Sequence, residues 1–332
     1  MAPSLDAPPV AGLEGLCTPR DWVRRRGPFE GVELMRAWFS GHAYTKHRHD
    51  TYGICVTDDG VQTFDYRGKV ERSLRGQVTV LHPDELHDGR AGTAGGFGYR
   101  ILYVEPSLIS AAVRVLTGRP GLPFVREPVS DNPRLAGAVH TAFASGMEPL
   151  AVDSLVLRLA DGLLAGADQP ARRPPNLDHT ALARARAFLN STRGIVRSTQ
   201  LEQLTGLTRY ELARQFRALY GTSPYRYSLL RRLDFARDRL RSGTPLAGLG
   251  LDAGFADQAH FTRMFGSAFG MTPRRYALLI STCVSECRAF DETPEFGPGE
   301  LRMNASAHAA VGAGDHVFAA DEPDIALNSL RN

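Results

Sequence analysis

The chain has 332 residues, 43% hydrophobic and 23% charged, with four cysteines and a net charge of +3. That length suits two domains of about 100 to 150 residues better than one core. No window approaches the roughly 20 apolar residues of a membrane helix, and Cys17, Cys55, Cys283 and Cys287 form no CxxC pair, which disfavours a disulfide framework and a zinc finger.

The net charge conceals an uneven distribution. Residues 1–177 carry 20 basic and 20 acidic groups, residues 178–280 carry 16 and 7, and residues 281–332 carry 3 and 9. A middle segment this basic favours a polyanionic partner, nucleic acid foremost, against the plainer reading of a solvated face. The opening "MAPSLDAPPVAGLEGL" lacks a basic stretch followed by an apolar run, so residues 1–20 are expected to be a mobile arm of a cytoplasmic protein.

Residues 20–105 alternate short apolar runs ("GVELMRAWFS", "YGICVTDDG", "VQTFDYRGKV", "GQVTVLHPDE", "GYRILYVEP") with Asp-Asp-Gly and Arg-Gly turns. Such spacing predicts an antiparallel β-barrel or sandwich. In "GHAYTKHRHDTYG", His47 and His49 stand two apart on a predicted strand, where both side chains share a face. His87 follows another strand in "LHPDELHDG". Three neutral imidazoles could hold a divalent metal, line a small-molecule pocket, or serve the core. Gly41 and, after five residues, His-x-His resemble the first motif of the cupin barrel, and "HPDELH" resembles a degenerate second one, but the Glu expected after His49 is absent. Trp38, Tyr52, Phe64 and Tyr103 are aromatic candidates for the same pocket, with core packing the alternative for each.

"LAVDSLVLRLADGLLAG" predicts a helix with Leu150, Leu157 and Leu164 seven apart and Leu155, Leu159 and Leu163 beside them. Its apolar face packs on the barrel or in part pairs two subunits. Residues 166–178, "GADQPARRPPNLD", read as a linker, and residues 281–332 as an acidic, disordered tail that could compete with DNA for the basic face.

Within residues 179–280 one element occurs twice: "RQFRALYGTSPYRY" from Arg214 and "RMFGSAFGMTPRRY" from Arg263 share Arg, Phe, Gly, Pro, Arg and Tyr in register. Upstream of each copy lies a helix, tight turn and second helix. In the first, Leu201 and Leu204 precede a turn at Gly206, Thr208 is the N-cap, and Leu212, Phe216 and Leu219 face inward. Arg209, Tyr210, Ala213, Arg214 and Arg217 then face outward, as on a recognition helix. In the second, Pro245 starts a helix, Gly254 turns and Asp257 caps. Phe261, Phe265 and Phe269 face inward, and Gln258, Ala259, Thr262 and Arg263 outward. Gln can pair adenine, Arg guanine, and Ala or Thr can meet a thymine methyl. Between the copies, "SPYRYSLLRRLDFARDRLRSG" predicts a spacer helix of roughly 27 Å, near the roughly 34 Å between successive major-groove segments.

On these residues the segment 179–280 resembles the DNA-binding domain of the AraC/XylS family of bacterial transcription regulators, with "GLTRYELARQFRALYGTSPYRY", "RRLDFARDRLRSG" and "AGFADQAHFTRMFGSAFGMTPRRY" carrying the match. Thr205 stands where that family usually has Ala, and Gly248 and Gly250 fall in the expected scaffold helix of the second unit, at about 1 kcal/mol each against Ala. "KHRHDTYGICV" through "YRILYVEPSLI" resembles the family's cupin-like effector domain, expected over residues 21–165. The resemblance implies an α+β, two-domain protein: an antiparallel β-barrel with helices, then an all-α domain of two helix-turn-helix units. It implies promoter DNA, a small-molecule effector, RNA polymerase and a second copy of the chain as partners, with no cofactor and no enzymatic activity. Base-reading positions carry over to Arg209, Tyr210, Ala213 and Arg214, and to Gln258, Ala259, Thr262 and Arg263. Trp38, His47, His49, Tyr52 and His87 are the effector-pocket candidates. The rival reading is a metal-dependent cupin enzyme fused to a DNA-binding domain, with His47, His49 and His87 as metal ligands.

Overall fold

The computed structural model describes residues 21–144, 146–167 and 177–286, with side chains through residue 280. The predicted arm, most of the predicted linker and the acidic tail beyond residue 286 lie outside them.

Nine strands come first: β1 Trp22–Phe29, β2 Val32–Phe39, β3 His42–His47, β4 Tyr52–Tyr66, β5 Lys69–Leu74, β6 Val78–Leu81, β7 His87–Ala91, β8 Phe97–Val104 and, after a helix, β9 Val129–Ser130. They pair antiparallel in the order β1-β2-β8-β4-β6-β9, and β3, β7 and β5 continue from the far half of β4. The Asp-Asp-Gly expected to end a strand does not. β4 runs 15 residues through it, with the register against β8 shifting between Thr57 and Asp59. A hairpin is excluded there because Gly60 lies against the opposite chain, where a Cβ would stand 2.1 Å from the Gly96 carbonyl. The strand kinks instead and passes from one half of the barrel to the other. The Arg-Gly turn does form, with both Arg67 and Gly68 at positive φ.

β2, β4 and β8 bury both faces. On β2, Leu34 joins a cluster with the helices α1 Pro106–Thr117, α2 Pro133–Ala144 and α3 Pro149–Ala165. Met35, Ala37 and Phe39 point the other way, into the barrel. α3 buries Val152, Leu155, Val156, Leu159, Ala160 and Leu163, whereas Leu150 is 81% and Leu157 38% exposed. The heptad of Leu150, Leu157 and Leu164 is thus not the packing stripe, because that stripe follows the 3.6-residue period of a helix packed on α1 and α2.

The helical half comprises α4 His179–Ser191, α5 Ser198–Thr205, α6 Arg209–Tyr220, α7 Pro224–Arg241, α8 Leu249–Asp252, α9 Gln258–Phe269 and α10 Pro273–Glu286. α7 is 18 residues long and buries Leu229, Leu233, Ala236 and Leu240, as predicted from its spacing. α8 is much shorter than expected. Pro245 lies outside it, and Gly248, at φ 81°, forms its left-handed entry rather than its interior. Gly250 stays in the helix because a Cβ there would meet the Phe261 Cβ at 2.9 Å. α10 runs to Glu286, taking in the first six residues of the expected tail.

The barrel interior and the helical half share a core: Met35, Phe39, Phe97, Tyr99 and Ile101 cluster with Leu230, Leu233, Phe265, Met271 and Tyr276. The barrel mouth is thus capped by α7, α9 and α10.

Candidate nucleic-acid interface and effector cavity

α6 is fixed at both ends by its sequence. Glu211 N donates to Thr208 Oγ1 (3.3 Å) and Thr208 N donates to Glu211 Oε2 (3.0 Å), a reciprocal cap. Gly206, at φ 74°, makes the preceding turn. Leu212, Gln215, Phe216, Leu219 and Tyr220 are buried, leaving Arg209, Tyr210, Arg214 and Arg217 exposed and Ala213 half-buried. α9 repeats the plan, with His260 N donating to Asp257 Oδ1 at 2.6 Å and Phe261, Phe265 and Ala268 behind. Gln258, Ala259 and Arg263 are exposed, Thr262 half-buried. Phe269 faces inward only in part, because it turns to the barrel mouth. Each recognition helix therefore offers polar and cationic groups from an apolar back. Arg217 departs from the set: its Nη1 lies 3.2 Å from Asp84 Oδ2, in the loop between β6 and β7.

The doubled frame has a second use. The arginines of its second shared pair both turn to the barrel: Arg226 Nη2 donates to the Arg48 carbonyl at 2.7 Å, and Arg275 Nη2 to the His42 carbonyl at 2.9 Å. Its shared glycines, at φ 75° and 68°, let the backbones meet. A Cβ on Gly221 would stand 2.7 Å from Pro83, and one on Gly270 2.8 Å from the His47 ring, while Thr45 N donates to the Gly270 carbonyl at 2.9 Å. The repeated Gly and the second repeated Arg thus dock the barrel at two places, whereas the first repeated Arg, Arg214 and Arg263, is exposed on the recognition helix.

A chain of alternating charges crosses this junction. Arg25 donates twice to Glu33, each bond at 2.6 Å, and Glu33 accepts from Arg237 at 3.1 Å. Arg237 pairs with Asp234 at 3.2 Å, Asp234 with Arg231 at 3.0 Å, and Arg231 with Asp50 at 3.1 Å. Burial by itself would raise the Glu33 carboxyl, but the guanidiniums of Arg237 and Arg25 overcome it and hold it at about 2. All six side chains wall one cavity of about 260 Å³ between the barrel mouth and α7, α9 and α10.

His47, His49 and Tyr103 also line the cavity. Burial pushes the His47 imidazole down to about 4 and the His49 imidazole down to about 3, so both are neutral near pH 7. His87 lies behind them in the barrel, with ring centroids 4.3 Å from His47 and 4.9 Å from His49. His49 itself stands beyond the end of β3, so it reaches the cluster from a turn and not by strand alternation. The Nδ1 atoms of His47 and His87 each lie 2.9 Å from a backbone carbonyl, of Thr45 and Glu85, and no group of three His, Cys, Asp or Glu among the described residues is placed to hold a metal. Trp38 and Tyr52 do not line the cavity. Trp38 lies on the opposite face of β2 from Met35, against Gly96 and Gly98, and Tyr52 packs under the helices with its hydroxyl on the Pro123 carbonyl. Phe64 packs with Tyr66 and Leu81.

Residues 30–160 match the family model of the AraC-like ligand binding domain, and residues 201–278 that of a helix-turn-helix domain. The two matches in this order span more than half of the chain. The chain belongs to the AraC family of transcription regulators. This AraC-family regulator is 23% identical over 240 residues to the HTH-type transcriptional regulator YbfI of Bacillus subtilis, covering 70% of this chain and 86% of that protein. It is 29% identical over 82 residues to the probable transcriptional regulator LumQ of Photobacterium leiognathi, 24% of this chain and 33% of that one. Among solved structures, a single-residue variant of apo ToxT from Vibrio cholerae shares the fold at a TM-score of 0.53 and 12% identity, over 77% of this chain and all of that one. Wild-type ToxT from the same strain bound to an unsaturated fatty acid gives 0.52 at 12%, over 78% and 94%. Effector-controlled, DNA-binding transcription regulation follows from the two domains. Among the described residues, no helix of the regulator is long and apolar enough to cross a membrane.

Sequence reasoning missed the helical half of the cavity wall: Arg231, Asp234, Arg237, Phe269 and Tyr276. One signal was present, since Glu33 interrupts the inward alternation of Met35, Ala37 and Phe39, and a charge at such a position needs a buried partner.

Proposed function

We propose that the cavity between the barrel mouth and α7 is the effector site, and that its occupant sets how the two helix-turn-helix units lie on a promoter. The observation that carries this is the charge chain: its cavity-lining members join Glu33 to Arg237 and Asp50 to Arg231, from the β domain to the helix that spaces the recognition helices. A ligand touching these groups changes the contacts that place α7, and a coupling of about 1 to 3 kcal/mol suffices to shift promoter occupancy. The DNA surface we infer comprises Arg209, Tyr210, Ala213 and Arg214 on α6 and Gln258, Ala259, Thr262 and Arg263 on α9. Arg217 joins it when released from Asp84. The test is a footprint of the full chain on its strongest genomic site, with and without cavity ligands. A footprint unchanged by any ligand that binds the cavity sinks the coupling.

We further propose a homodimer acting in the cytoplasm, with RNA polymerase as its partner at the promoter. The exposed apolar residues Val115 and Leu116 on α1 and Leu150 and Leu157 on α3 support the pairing. Sedimentation of Leu150→Glu/Leu157→Glu against the parent chain tests it: an unchanged oligomeric state places the dimer elsewhere. The protein is read as a regulator without catalysis; turnover of any cavity ligand by the purified chain would contradict that.

A further inference from the structure

We propose that the effector is a small organic cation, a protonated amine or amidine on an aromatic or aliphatic body, and not a carboxylate. The inference rests on the cavity being the effector site.

The charge chain contributes three guanidiniums and three carboxylates and is neutral in itself. Glu105 and Asp238 add two further carboxylates to the wall, while their partners Arg186 and Arg241 stand outside it. No lysine is among the described lining residues. Each arginine that lines the cavity already holds carboxylates, Arg25 both oxygens of Glu33, Arg237 those of Glu33 and Asp234, Arg231 those of Asp50 and Asp234, although the Nε atoms of Arg231 and Arg237 are buried without a hydrogen-bond partner. An anionic ligand would add charge of the sign already in excess on the wall and would meet only guanidiniums whose charge is already balanced by carboxylates. A cation meets the Glu105 and Asp238 carboxylates, whose own guanidinium partners lie outside the wall. Burial also holds the carboxyls of Asp50 and Asp238 above the usual range, so the positive charge near them is less than their burial demands.

Two further observations agree with the sign. The wall already stacks cations on its rings, with the Arg25 guanidinium 5.5 Å from the Tyr103 centroid and that of Arg237 5.2 Å from Phe269. In addition, His49 Nδ1 lies 2.8 Å from the Thr51 carbonyl, so Nδ1 carries the proton and Nε2 is an acceptor, buried and without a partner. An N–H donor satisfies it; a carboxylate does not. At about 260 Å³ the cavity is below the roughly 300 to 1,000 Å³ of drug-sized ligand sites, so the cation is a small one.

The test uses the purified full-length chain and matched pairs of probes: phenethylamine with 3-phenylpropanoate, hexylamine with heptanoate, benzamidine with benzoate. Binding is read by calorimetric titration and by the rise in melting temperature. At least one cation should bind, its matched anion should not, and Asp238→Asn or Glu105→Gln should weaken the cation by about tenfold or less, as for a partly screened charge pair. Ala268→Leu and Met35→Phe fill the cavity from its two sides and should abolish it. Binding of the anions in preference, lost in the filled variants, overturns the cation while keeping the effector site. Binding that survives both fillings overturns the site itself. If no cation of the set binds, the proposal fails.

Discussion

The Glu33 carboxylate on β2 is held from two directions, by Arg25 of its own sheet at 2.6 Å and by Arg237 of α7 at 3.1 Å. All three are buried. One side chain therefore joins the effector domain to the spacer between the recognition helices. Glu33→Gln leaves two buried guanidiniums short of a charge, and chemical denaturation should show a loss of about 3 to 5 kcal/mol. The native carboxyl titrates at about 2 and an unfolded Glu at about 4.3, so the contribution is present above pH 4.3 and is lost as pH falls towards 2.

Acid should destabilise the protein earlier than that through its histidines. Burial depresses His47 to about 4 and His49 and His82 to about 3, and His87 well below its usual range. An unfolded His takes up its proton near pH 6.5 while the folded one refuses it, so stability is full above 6.5 and falls with pH towards 4. Each such residue contributes up to about 1.4 kcal/mol per pH unit. Unfolding free energies measured from pH 7 to 4.5 should give a slope of several protons, reduced by about one in His49→Gln.

The left-handed glycines of the repeat should resist any side chain. Gly270→Ala adds a Cβ at φ 68° against the His47 ring, and Gly221→Ala one at φ 75° against Pro83. The backbone cost alone is about 1 to 2 kcal/mol. Both substitutions should also loosen the junction, seen as faster proteolysis between the domains, whereas Gly206→Ala, with open space around it, should lose stability without that effect.

On the DNA side, Arg214→Ala and Arg263→Ala should each cost about 1 to 3 kcal/mol of operator affinity. Asp84→Asn should do the opposite. It frees Arg217 and Arg226, now 3.2 and 3.1 Å from Asp84, and a released Arg217 adds a phosphate contact. Electrophoretic titrations over a range of salt should show tighter binding and a slope steeper by about one ion.

Local patterns made the recognition helices legible. Thr208 and Asp257 announce caps, Gly206 and Gly254 turns, and Phe261 and Phe265 one buried face, because each of these depends on neighbours within a few residues. The predicted α8 failed at Gly248 for the same reason in reverse: propensity was weighed there, whereas its left-handed φ ends the helix. Asp-Asp-Gly predicts a turn by its composition; the close approach of the Gly96 backbone, distant in sequence, makes it a kink.

By itself, then, the sequence determined that there are two domains, that one is a β-barrel with histidines, and that the other carries a helix-turn-helix twice with different outward faces. The tertiary structure alone decided which side chains share the cavity. Glu33 and Arg237 are 204 residues apart, and Trp38 and Met35 differ only in the face of one strand. Strand alternation says that the faces differ but not which one meets the helices. The pairing of distant charges is set by how the two domains dock. That docking depends on Gly221, Gly270, Arg226 and Arg275, letters that the two copies share.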